Sequence, residues 1–279
     1  MKKLFVIGHP IEHSLSPAMQ NAALKELKLD KEFYYDKRDV KPEELENFVK
    51  EIRNEEIFGA NVTIPHKINI IPFLDKLTKE AELIQAVNTI YRENNQIIGH
   101  NTDGIGCLNT LKENNIQIEK KTILILGAGG AGRAISFTLA LNNPKNLIIV
   151  DRSYEQAKSL TEEITKKTKT KTQPENLDNL NTILPNAEII IHCTPTGMKN
   201  YAENQTLITS EHLNKNQTIM DIVYNPQKTK LLEEAEKAGC KTISGVGMLV
   251  HQGAVGFEIW TKNKAPINIM KEALLKQLN

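Results

Sequence analysis

The sequence is poor in the features that define several classes of protein. Of its 279 residues three are cysteines, Cys107, Cys193 and Cys240. An odd number of widely separated cysteines excludes a disulfide-stapled scaffold and fits reduced thiols in the cytoplasm, where we expect the protein to act. The formal net charge of +1 lacks the basic excess of a nucleic-acid-binding protein. No apolar run approaches the length of a membrane span, so we expect neither nucleic acid nor membrane as a partner.

Metal-ligand spacing is also missing from the chain. His9 and His13 lie four residues apart, but Pro10 disfavours a helix that would bring their rings together, and no other ligand spacing is evident. We therefore expect no metal site. The composition, 40% hydrophobic and 25% charged, is typical of globular proteins, and the length is sufficient for two domains.

The strongest positive signal begins with Thr122–Leu126, an apolar and β-branched run typical of a buried parallel strand. The run leads directly into Gly127, Gly129 and Gly132, spaced G-x-G-x-x-G, and then into the helical pattern Arg133–Leu141. In such a loop the first glycine permits the tight turn, the second lets the backbone approach a pyrophosphate, and the third lets the helix pack on the strand. The start of the helix then offers free N–H groups to phosphates.

A glycine-rich turn alone often serves only as a turn. Here a second apolar strand, Asn146–Val150, follows the helix and ends at Asp151, which lies 24 residues after Gly127. A ribose-binding carboxylate belongs near this position in dinucleotide-binding folds. The context therefore favours dinucleotide binding.

The first hundred residues alternate between strand and helix patterns. The predicted strands are Leu4–Ile7, Glu32–Tyr35, Ile57–Ile64, Thr89–Tyr91 and Gln96–Ile98, the last two forming a hairpin. The predicted helices are Ser16–Leu27, Pro42–Ile52 and Glu80–Ala86, the first with Ser16 as N-cap and Pro17 at the first helical position. This alternation predicts an α/β domain whose sheet is mostly parallel with an antiparallel edge.

The rest of the chain repeats the alternation around the glycine loop. A helix from Asp103 to about Asn114 is expected to link two domains. The further predicted strands are Glu188–His192, Thr218–Val223 and Lys241–Ile243, with at most an edge strand and loop in Lys169–Asn181. The further predicted helices are Tyr154–Thr165, Thr229–Ala238, Leu249–Trp260 and Ile267–Leu278. We expect a first α/β domain over residues 1–103, a dinucleotide-binding domain over residues 104–248, and C-terminal helices over residues 249–279 that pack back on the first domain.

Residues able to carry chemistry lie at the ends of the first-domain elements. The candidates are Ser14, Ser16, residues 61–67, Asn88 and residues 101–103. Taken singly, each has an ordinary structural explanation: Ser16 as a helix cap, Asn88 as a turn residue, Asp103 as an N-cap and Lys67 as a surface lysine. Spacing alone does not bring them together.

Eight motifs, in order along nearly the whole chain, resemble those of the shikimate dehydrogenases. They are Ile7–Pro17 (IGHPIEHSLSP), Asn61–Lys67 (NVTIPHK), Ala86–Thr89 (AVNT), Gly99–Gly104 (GHNTDG), Gly127–Gly130 (GAGG), Thr194–Met198 (TPTGM), Asp221–Pro226 (DIVYNP) and Gly247–Gly253 (GMLVHQG). The resemblance implies NADPH-linked reduction of 3-dehydroshikimate to shikimate, a step toward chorismate and the aromatic amino acids. It also implies a two-domain α/β fold, with a substrate domain, a Rossmann domain and the active-site cleft between them.

The same resemblance implies roles for individual residues. Ser14 and Ser16, assisted by Tyr224, are expected to bind the substrate carboxylate. Thr63, Asn88, Asp103 and Gln252 are expected to hold the ring hydroxyls, with Asn61 close by. The residues expected to bind the dinucleotide are Gly127, Ala128, Gly129, Gly130, Ala131, Asp151, Arg152, Ser153, Thr194, Thr196, Met198, Val223, Gly245 and Met248.

Lys67 and Asp103 match the family's catalytic pair. Delivery of hydride to a ketone leaves a developing alkoxide, which an ammonium group can both stabilise and protonate. We therefore expect Lys67 to carry the proton and Asp103 to act as its partner and as a hydroxyl ligand. Whether Lys67 carries the proton alone is left open.

The chain departs from the family pattern after the second strand of the dinucleotide domain. Where the family's NADP-preferring members usually have Asn-Arg-Thr, this sequence has Asp151, Arg152 and Ser153. An acid at this point favours the free ribose 2′-hydroxyl of NAD, whereas the arginine and the hydroxyl favour the 2′-phosphate of NADP. Asp151 could also turn aside and cap a loop. We expect NADP, with NAD possible because of Asp151.

Two other functions stay open from the sequence. A quinate/shikimate dehydrogenase of the same fold would use NAD as well as NADP, and Asp151 keeps it open. A non-catalytic nicotinamide-nucleotide sensor would keep the glycine loop but would not need Lys67 together with Asp103. The sequence is compatible with a monomer or a homodimer.

Overall fold

The computed structural model describes residues 1–54 and 57–278; Asn279, the end of the predicted C-terminal segment, lies outside the described residues. The strands are β1 (Lys2–Gly8), β2 (Phe33–Asp39), β3 (Gly59–Val62), β4 (Lys76–Leu77), β5 (Thr89–Glu93), β6 (Gln96–His100), β7 (Thr122–Leu126), β8 (Asn146–Asp151), β9 (Thr172–Asn176), β10 (Ile189–His192), β11 (Thr218–Asp221) and β12 (Lys241–Ile243). The α-helices are α1 (Ser16–Glu26), α2 (Leu45–Arg53), α3 (His66–Asn69), α4 (Lys79–Ile84), α5 (Asp103–Glu113), α6 (Gly130–Ala140), α7 (Tyr154–Lys167), α8 (Leu180–Ile183), α9 (Lys230–Lys237), α10 (Val246–Thr261) and α11 (Ile267–Leu278). The predicted α/β class is confirmed.

The chain divides into two compact units, each built on a six-stranded sheet. The first unit comprises Met1–Gly106 and Val250–Gln277, and the second comprises Cys107–Leu249. Across the described part of the chain, no helix has both the length and the apolar character needed to cross a membrane.

The sheet of the first unit has the strand order β2-β1-β3-β5-β6-β4. Strand β5 is antiparallel to both of its neighbours, and the remaining pairings are parallel. The sequence-based prediction of an antiparallel edge is therefore wrong, because β5 pairs with β3 as well as with its hairpin partner β6, and β4 extends the sheet beyond them. Since β5 runs in reverse, its first residue, Thr89, lies opposite Asn61 near the end of β3 and His100 at the end of β6.

The core of the first unit shows why α2 forms where it does. Leu45, Phe48, Val49 and Ile52 recur at the spacing of one helical face and are all buried. They pack with apolar residues of the sheet such as Ile90 in one cluster. Each such side chain, when fully buried, contributes roughly 1.5–3 kcal/mol of transfer free energy.

The sheet of the second unit is entirely parallel, with the order β12-β11-β10-β7-β8-β9. Its inner strands β7, β8 and β10 are near-continuous apolar runs, as expected for strands covered on both faces. The chain leaves β7 toward β8 and returns to the other side at β10, so the topological switch point lies between β7 and β10. Ligands of doubly wound folds bind at such a point, outside the carboxyl ends of the strands. Strand β9 lies at one edge and contains Pro174, in agreement with the edge strand predicted there.

Several predicted boundaries differ from the observed ones. Ser16 is the first residue of α1 rather than its N-cap; Leu15 is at the cap position and no side chain caps the helix. Strand β2 continues beyond the predicted Tyr35 to Asp39, because it pairs with β1 along its whole length. The strand predicted over Ile57–Ile64 is reduced to β3, and the one predicted over Thr218–Val223 ends at Asp221, since apolar character continues past the last ladder pair.

Candidate functional site

Three of the predicted substrate-binding segments of the first unit follow the carboxyl ends of parallel strands. The loop with Ser14 follows β1, Thr63 follows β3, and Asp103 follows β6. The ends of β1 and β3 are tied by hydrogen bonds from Thr63 N–H to Ile7 O (2.9 Å) and from His9 N–H to Ile64 O (3.1 Å). The reversed β5 brings Asn88, which precedes it, to the same edge, where Val62 N–H donates to Asn88 O (2.8 Å). Topology therefore gathers segments that are far apart in sequence.

The Lys67 ammonium forms a short hydrogen-bonded ion pair with the Asp103 carboxylate through Oδ2. Their side chains are only 13% and 6% exposed, so the pair is shielded from water and its attraction is less screened than at a surface. Lys67 is held by the backbone of α3, where its carbonyl accepts from Val87 N–H (2.7 Å). In the described part of the chain Lys67 has no other side-chain partner. Two of its three N–H donors are therefore available to a ligand.

Asn88 lies at the centre of the polar network around Asp103. Its Nδ2 donates to Asp103 Oδ1 (2.9 Å) and Thr102 Oγ1 (2.9 Å), with a longer contact to Gln252 Oε1 (3.4 Å). Its Oδ1 accepts from Thr102 N–H (2.8 Å) and Thr89 Oγ1 (3.1 Å). All five residues are buried. A buried network with its polar groups satisfied holds the Asp103 carboxylate in one orientation.

Asn61 belongs to the same network and is fully engaged by the protein. Its Nδ2 donates to Asn88 O (3.2 Å) and Thr89 Oγ1 (3.1 Å), and its Oδ1 accepts from Tyr35 Oη (2.7 Å). Burial raises the pKa of Tyr35 well above its ordinary value, so the phenol keeps the proton that it donates. Through these bonds Asn61 holds Asn88 and Thr89 in place.

The two serines lie next to each other at the start of α1. Ser14 is half-buried and Ser16 is buried, and Ser16 N–H lies 3.4 Å from Ser14 Oγ. Because Ser16 does not cap the helix, the alternative explanation that the sequence left for it does not apply. Thr63 is also half-buried, whereas Tyr224 belongs to the second unit.

The glycine loop of the second unit has the geometry that its motif requires. Gly127 has φ +113°, a left-handed conformation that favours glycine, and a Cβ on Gly132 would lie 1.9 Å from Gly127 O. A Cβ on Gly129 would meet no atom within 4 Å, so the backbone there borders open space. Gly129 also provides the N-cap of α6 without any side-chain cap. An open glycine backbone before an uncapped helix start fits the pyrophosphate of a dinucleotide.

Asp151 is bound to the backbone around it. Its Oδ2 accepts from Ala128 N–H (2.7 Å) and its Oδ1 accepts from Ser153 N–H (2.8 Å). The carboxylate thus fastens the glycine loop to the turn after β8. Ser153 caps α7, with its Oγ accepting from Gln156 N–H (3.4 Å). Arg152 is exposed and has no hydrogen bond or ion pair within residues 1–54 and 57–278.

The remaining predicted dinucleotide residues lie beyond the carboxyl ends of β7, β10, β11 and β12. Gly130 and Ala131 form the first turn of α6. Thr194 packs against the glycine loop, since a Cβ on Gly127 would lie 3.0 Å from Thr194 Cγ2. Gly245 lies against the segment after β11, where a Cβ would be 2.2 Å from Ile222 O and 2.7 Å from Val223 O. Thr196 is half-buried, Met248 is buried in α10, and Met198 is exposed.

Sequence reasoning missed two side chains at these edges. Tyr35 offered no signal beyond an alternating apolar pattern, because only the folded sheet brings it to Asn61. The sequence gives a clearer signal for His192, which is a single ionisable residue at the end of the apolar run Ile189–Ile191. It is buried between Asp221 and Thr194.

Three family models match consecutive parts of the chain. The shikimate dehydrogenase substrate binding domain matches residues 6–90, the shikimate / quinate 5-dehydrogenase family matches residues 110–242, and the shikimate 5′-dehydrogenase C-terminal domain matches residues 245–275. Together they span most of the chain.

Individual relatives agree with these matches. A shikimate dehydrogenase (NADP(+)) of Methanococcus maripaludis is 45% identical over 277 residues, which cover 99% of this chain and 98% of the relative. A crystal structure of a shikimate dehydrogenase in complex with NADP+ matches with a TM-score of 0.93 at 43% identity, covering 100% of this chain and 96% of that one. A shikimate 5-dehydrogenase of Listeria monocytogenes in complex with shikimate and NAD matches with a TM-score of 0.90 at 39% identity, covering 98% and 96%. The resemblance inferred from the sequence motifs is confirmed.

Proposed function

Because the chain belongs to the shikimate dehydrogenase family, we propose that it catalyses the reversible, NADP-linked interconversion of 3-dehydroshikimate and shikimate. The observation that carries this proposal is the shielded Lys67–Asp103 pair inside a satisfied polar network. A sensor that only binds a nucleotide would have no use for such a pair. The relatives that match over nearly their whole length bear the name of this activity.

We assign the substrate contacts to the first unit and to Tyr224. Ser14 and Ser16 present neighbouring hydroxyls on an uncapped helix start, which suits the two oxygens of a carboxylate. Thr63, Asn88, Asp103 and Gln252 are assigned to the ring hydroxyls. Asn61 is assigned a supporting role, because both of its N–H donors are engaged by the protein.

Lys67 is assigned the proton transfer. When bound, the nicotinamide cofactor supplies the exchange of hydride with the carbon that carries the reacting oxygen. Lys67 has two N–H donors free for that oxygen, and it stabilises negative charge there and returns or accepts the proton. Asp103 keeps the Lys67 ammonium in place, and Asn88 keeps Asp103 in place.

The cofactor is assigned to the glycine loop after β7 and to the segments after β8, β10, β11 and β12. The open backbone at Gly129 receives the pyrophosphate, and exposed Arg152, which has no hydrogen bond or ion pair among the described residues, is available for a 2′-phosphate. Asp151 has both oxygens on backbone N–H groups, which supports its role as a fastener of the loop rather than as a repeller of the phosphate. We therefore retain NADP as the preferred cofactor.

We also propose that the two parts of the chain bind different ligands. Residues 1–103 and 249–279 bind the substrate, and residues 104–248 bind the dinucleotide. The choice between monomer and homodimer, and the cytoplasmic location, stay predictions from the sequence.

A matrix of initial rates tests the proposed function. Shikimate and quinate are each oxidised with NADP and with NAD, and nicotinamide absorbance is followed at one ionic strength. We expect the highest kcat/KM with shikimate and NADP. A higher value with NAD, or with quinate, would replace the proposal by the quinate/shikimate dehydrogenase. No turnover by a protein that still binds NADPH would favour the sensor.

A further inference from the structure

A buried histidine lies at the carboxyl end of β10, beside the predicted cofactor loop. His192 is 3% exposed. Its Nδ1 is 2.9 Å from Asp221 Oδ1 at the end of the neighbouring β11, and its Nε2 is 2.5 Å from Thr194 Oγ1. The ring therefore links the carboxyl ends of β10 and β11. Ligands of doubly wound folds bind at this edge of the sheet.

Asp221 fixes Nδ1 of His192 as a hydrogen-bond donor. Its Oδ1 also accepts from Val223 N–H (3.0 Å), and its Oδ2 accepts from Thr229 Oγ1 (2.6 Å). A carboxylate that receives these bonds acts as an acceptor, so His192 Nδ1 must be the donor. The other nitrogen, Nε2, is then committed to Thr194.

The Thr194 hydroxyl that His192 contacts is bonded in turn to Thr196. It donates to Thr196 Oγ1 (3.1 Å) and accepts from Thr196 N–H (3.3 Å). Because His192 Nε2 lies within hydrogen-bond distance of the same Thr194 oxygen, the ring holds the hydroxyl on which the contact with Thr196 depends. His192 thereby positions both threonine side chains.

These hydroxyls lie next to the glycine loop. Strands β7 and β10 are neighbours across the switch point, and a Cβ on Gly127 would be 3.0 Å from Thr194 Cγ2 and 3.1 Å from the Cys193 carbonyl carbon. A displacement of Thr194 would therefore displace the glycine loop, which is assigned to the pyrophosphate.

We propose that His192 is a positioning residue for the nicotinamide dinucleotide, acting through Thr194 and Thr196. The inference rests on the proposed cofactor role of this edge of the second unit. It assigns His192 no contact with substrate and no part in proton transfer. Loss of its bond to Thr194 weakens the dinucleotide and leaves the affinity for shikimate unchanged.

Two substitutions separate the two bonds of the ring. The Asn amide nitrogen lies near the position of Nδ1, so His192→Asn keeps a hydrogen-bond donor for Asp221 but loses the hydrogen bond to Thr194. Gln reaches the position of Nε2, so His192→Gln keeps a partner for Thr194. His212→Asn, which removes another histidine of the same unit, is the matched control. NADPH affinity is measured by fluorescence titration, and KM for NADP and for shikimate by initial rates, with thermal unfolding as a check on folding.

We expect His192→Asn to raise the Kd for NADPH and the KM for NADP about threefold to tenfold, the worth of one ordinary hydrogen bond. KM for shikimate at saturating NADP should stay unchanged, and His192→Gln should lie within about twofold of the wild type. Unchanged NADPH binding in His192→Asn would overturn the inference, as would equal losses for both ligands in both variants. The titration measures NADPH binding without turnover. If the wild type bound NADPH but were inactive, the proposed function would be refuted, and the effect of His192→Asn on NADPH binding would still test the role of His192.

Discussion

The carboxyl edges of the two sheets are built in different ways. In the first unit, Asn88, Asp103 and Gln252 are buried and Lys67 is largely buried, and hydrogen bonds between their side chains join these distant segments of the chain. In the second unit, the glycine loop relies on backbone N–H groups and open space, and Asp151 fastens it. The side chains at the first edge depend on one another, whereas the contacts at the second edge are local and largely independent.

This difference predicts how each edge responds to change. Removing one member of a buried network leaves its partners unsatisfied, so the effects of several substitutions should not add. Contacts at the exposed turn after β8 should act almost independently of one another, and their charge effects should be partly screened by salt.

The largest effect is expected at Lys67. Lys67→Ala should lower kcat by roughly 10²–10⁴, the usual worth of a positioned acid–base group, while KM for shikimate changes modestly. Steady-state rates at saturating NADP measure it, with Lys31→Ala, the loss of an exposed lysine in the same unit, as the control. A change in KM alone would make Lys67 a binding residue whose loss is felt equally in ground and transition state.

The next effect is expected at the serine pair. A hydrogen bond to a charged partner is worth about 1.5–3 kcal/mol, so replacing both Ser14 and Ser16 by Ala should raise KM for shikimate at least about tenfold. Kd for NADPH, from fluorescence titration, should be almost untouched. Equal losses for both ligands would mean that the serines support the fold instead.

Cofactor choice should change by about tenfold when one charge-assisted contact is removed. Arg152→Ala should lower the NADP-to-NAD ratio of kcat/KM, since NAD has no 2′-phosphate for Arg152 to bind. An unchanged ratio would remove Arg152 from the phosphate site.

Asp151→Asn separates two roles of the neighbouring carboxylate. Because Asp151 accepts from both Ala128 and Ser153, an amide there loses one of these acceptors and should weaken both cofactors by a similar factor. The ratio of kcat/KM for NADP and NAD, at one ionic strength, is the measurement. A rise in that ratio would show that Asp151 acts by repelling the 2′-phosphate.

A separate effect, on stability rather than on catalysis, is expected at the support of the network. Tyr35→Phe leaves the buried Asn61 Oδ1 without its donor and should cost about 1–3 kcal/mol of unfolding free energy. Tyr34→Phe is the matched control, because that hydroxyl meets Asp36 at the surface and its loss should cost under about 0.5 kcal/mol. Urea unfolding measures the loss of unfolding free energy in each variant. Equal losses would show that the buried bond stabilises the fold no more than the surface bond does.

The same contrast decides what the sequence could predict. The glycine loop was predicted with its structural context, because strand, turn and helix are adjacent in sequence and each glycine answers a local steric demand. Ser16 was assigned the wrong position in its helix, since a Ser-Pro pair fits a cap and also a first turn, and only packing decides between them.

Long-range pairing lies beyond local patterns. The interior position of β5 follows from its pairing with β3, which no spacing reveals, and that pairing brings Asn88 to the ends of β3 and β6. The supporting bonds of Tyr35 and His192 exist only once distant strands are side by side. Motif resemblance named the residues of the network, whereas its connectivity comes from topology.

A double-mutant cycle on Lys67 and Asp103 tests the central claim most directly. The kcat/KM for shikimate is measured for the wild type, Lys67→Ala, Asp103→Asn and the double variant at saturating NADP. If the pair acts as one unit, the double variant loses about as much as the more damaging single variant. A double-variant loss equal to the product of the two single losses would contradict the account, because Lys67 and Asp103 would then act independently.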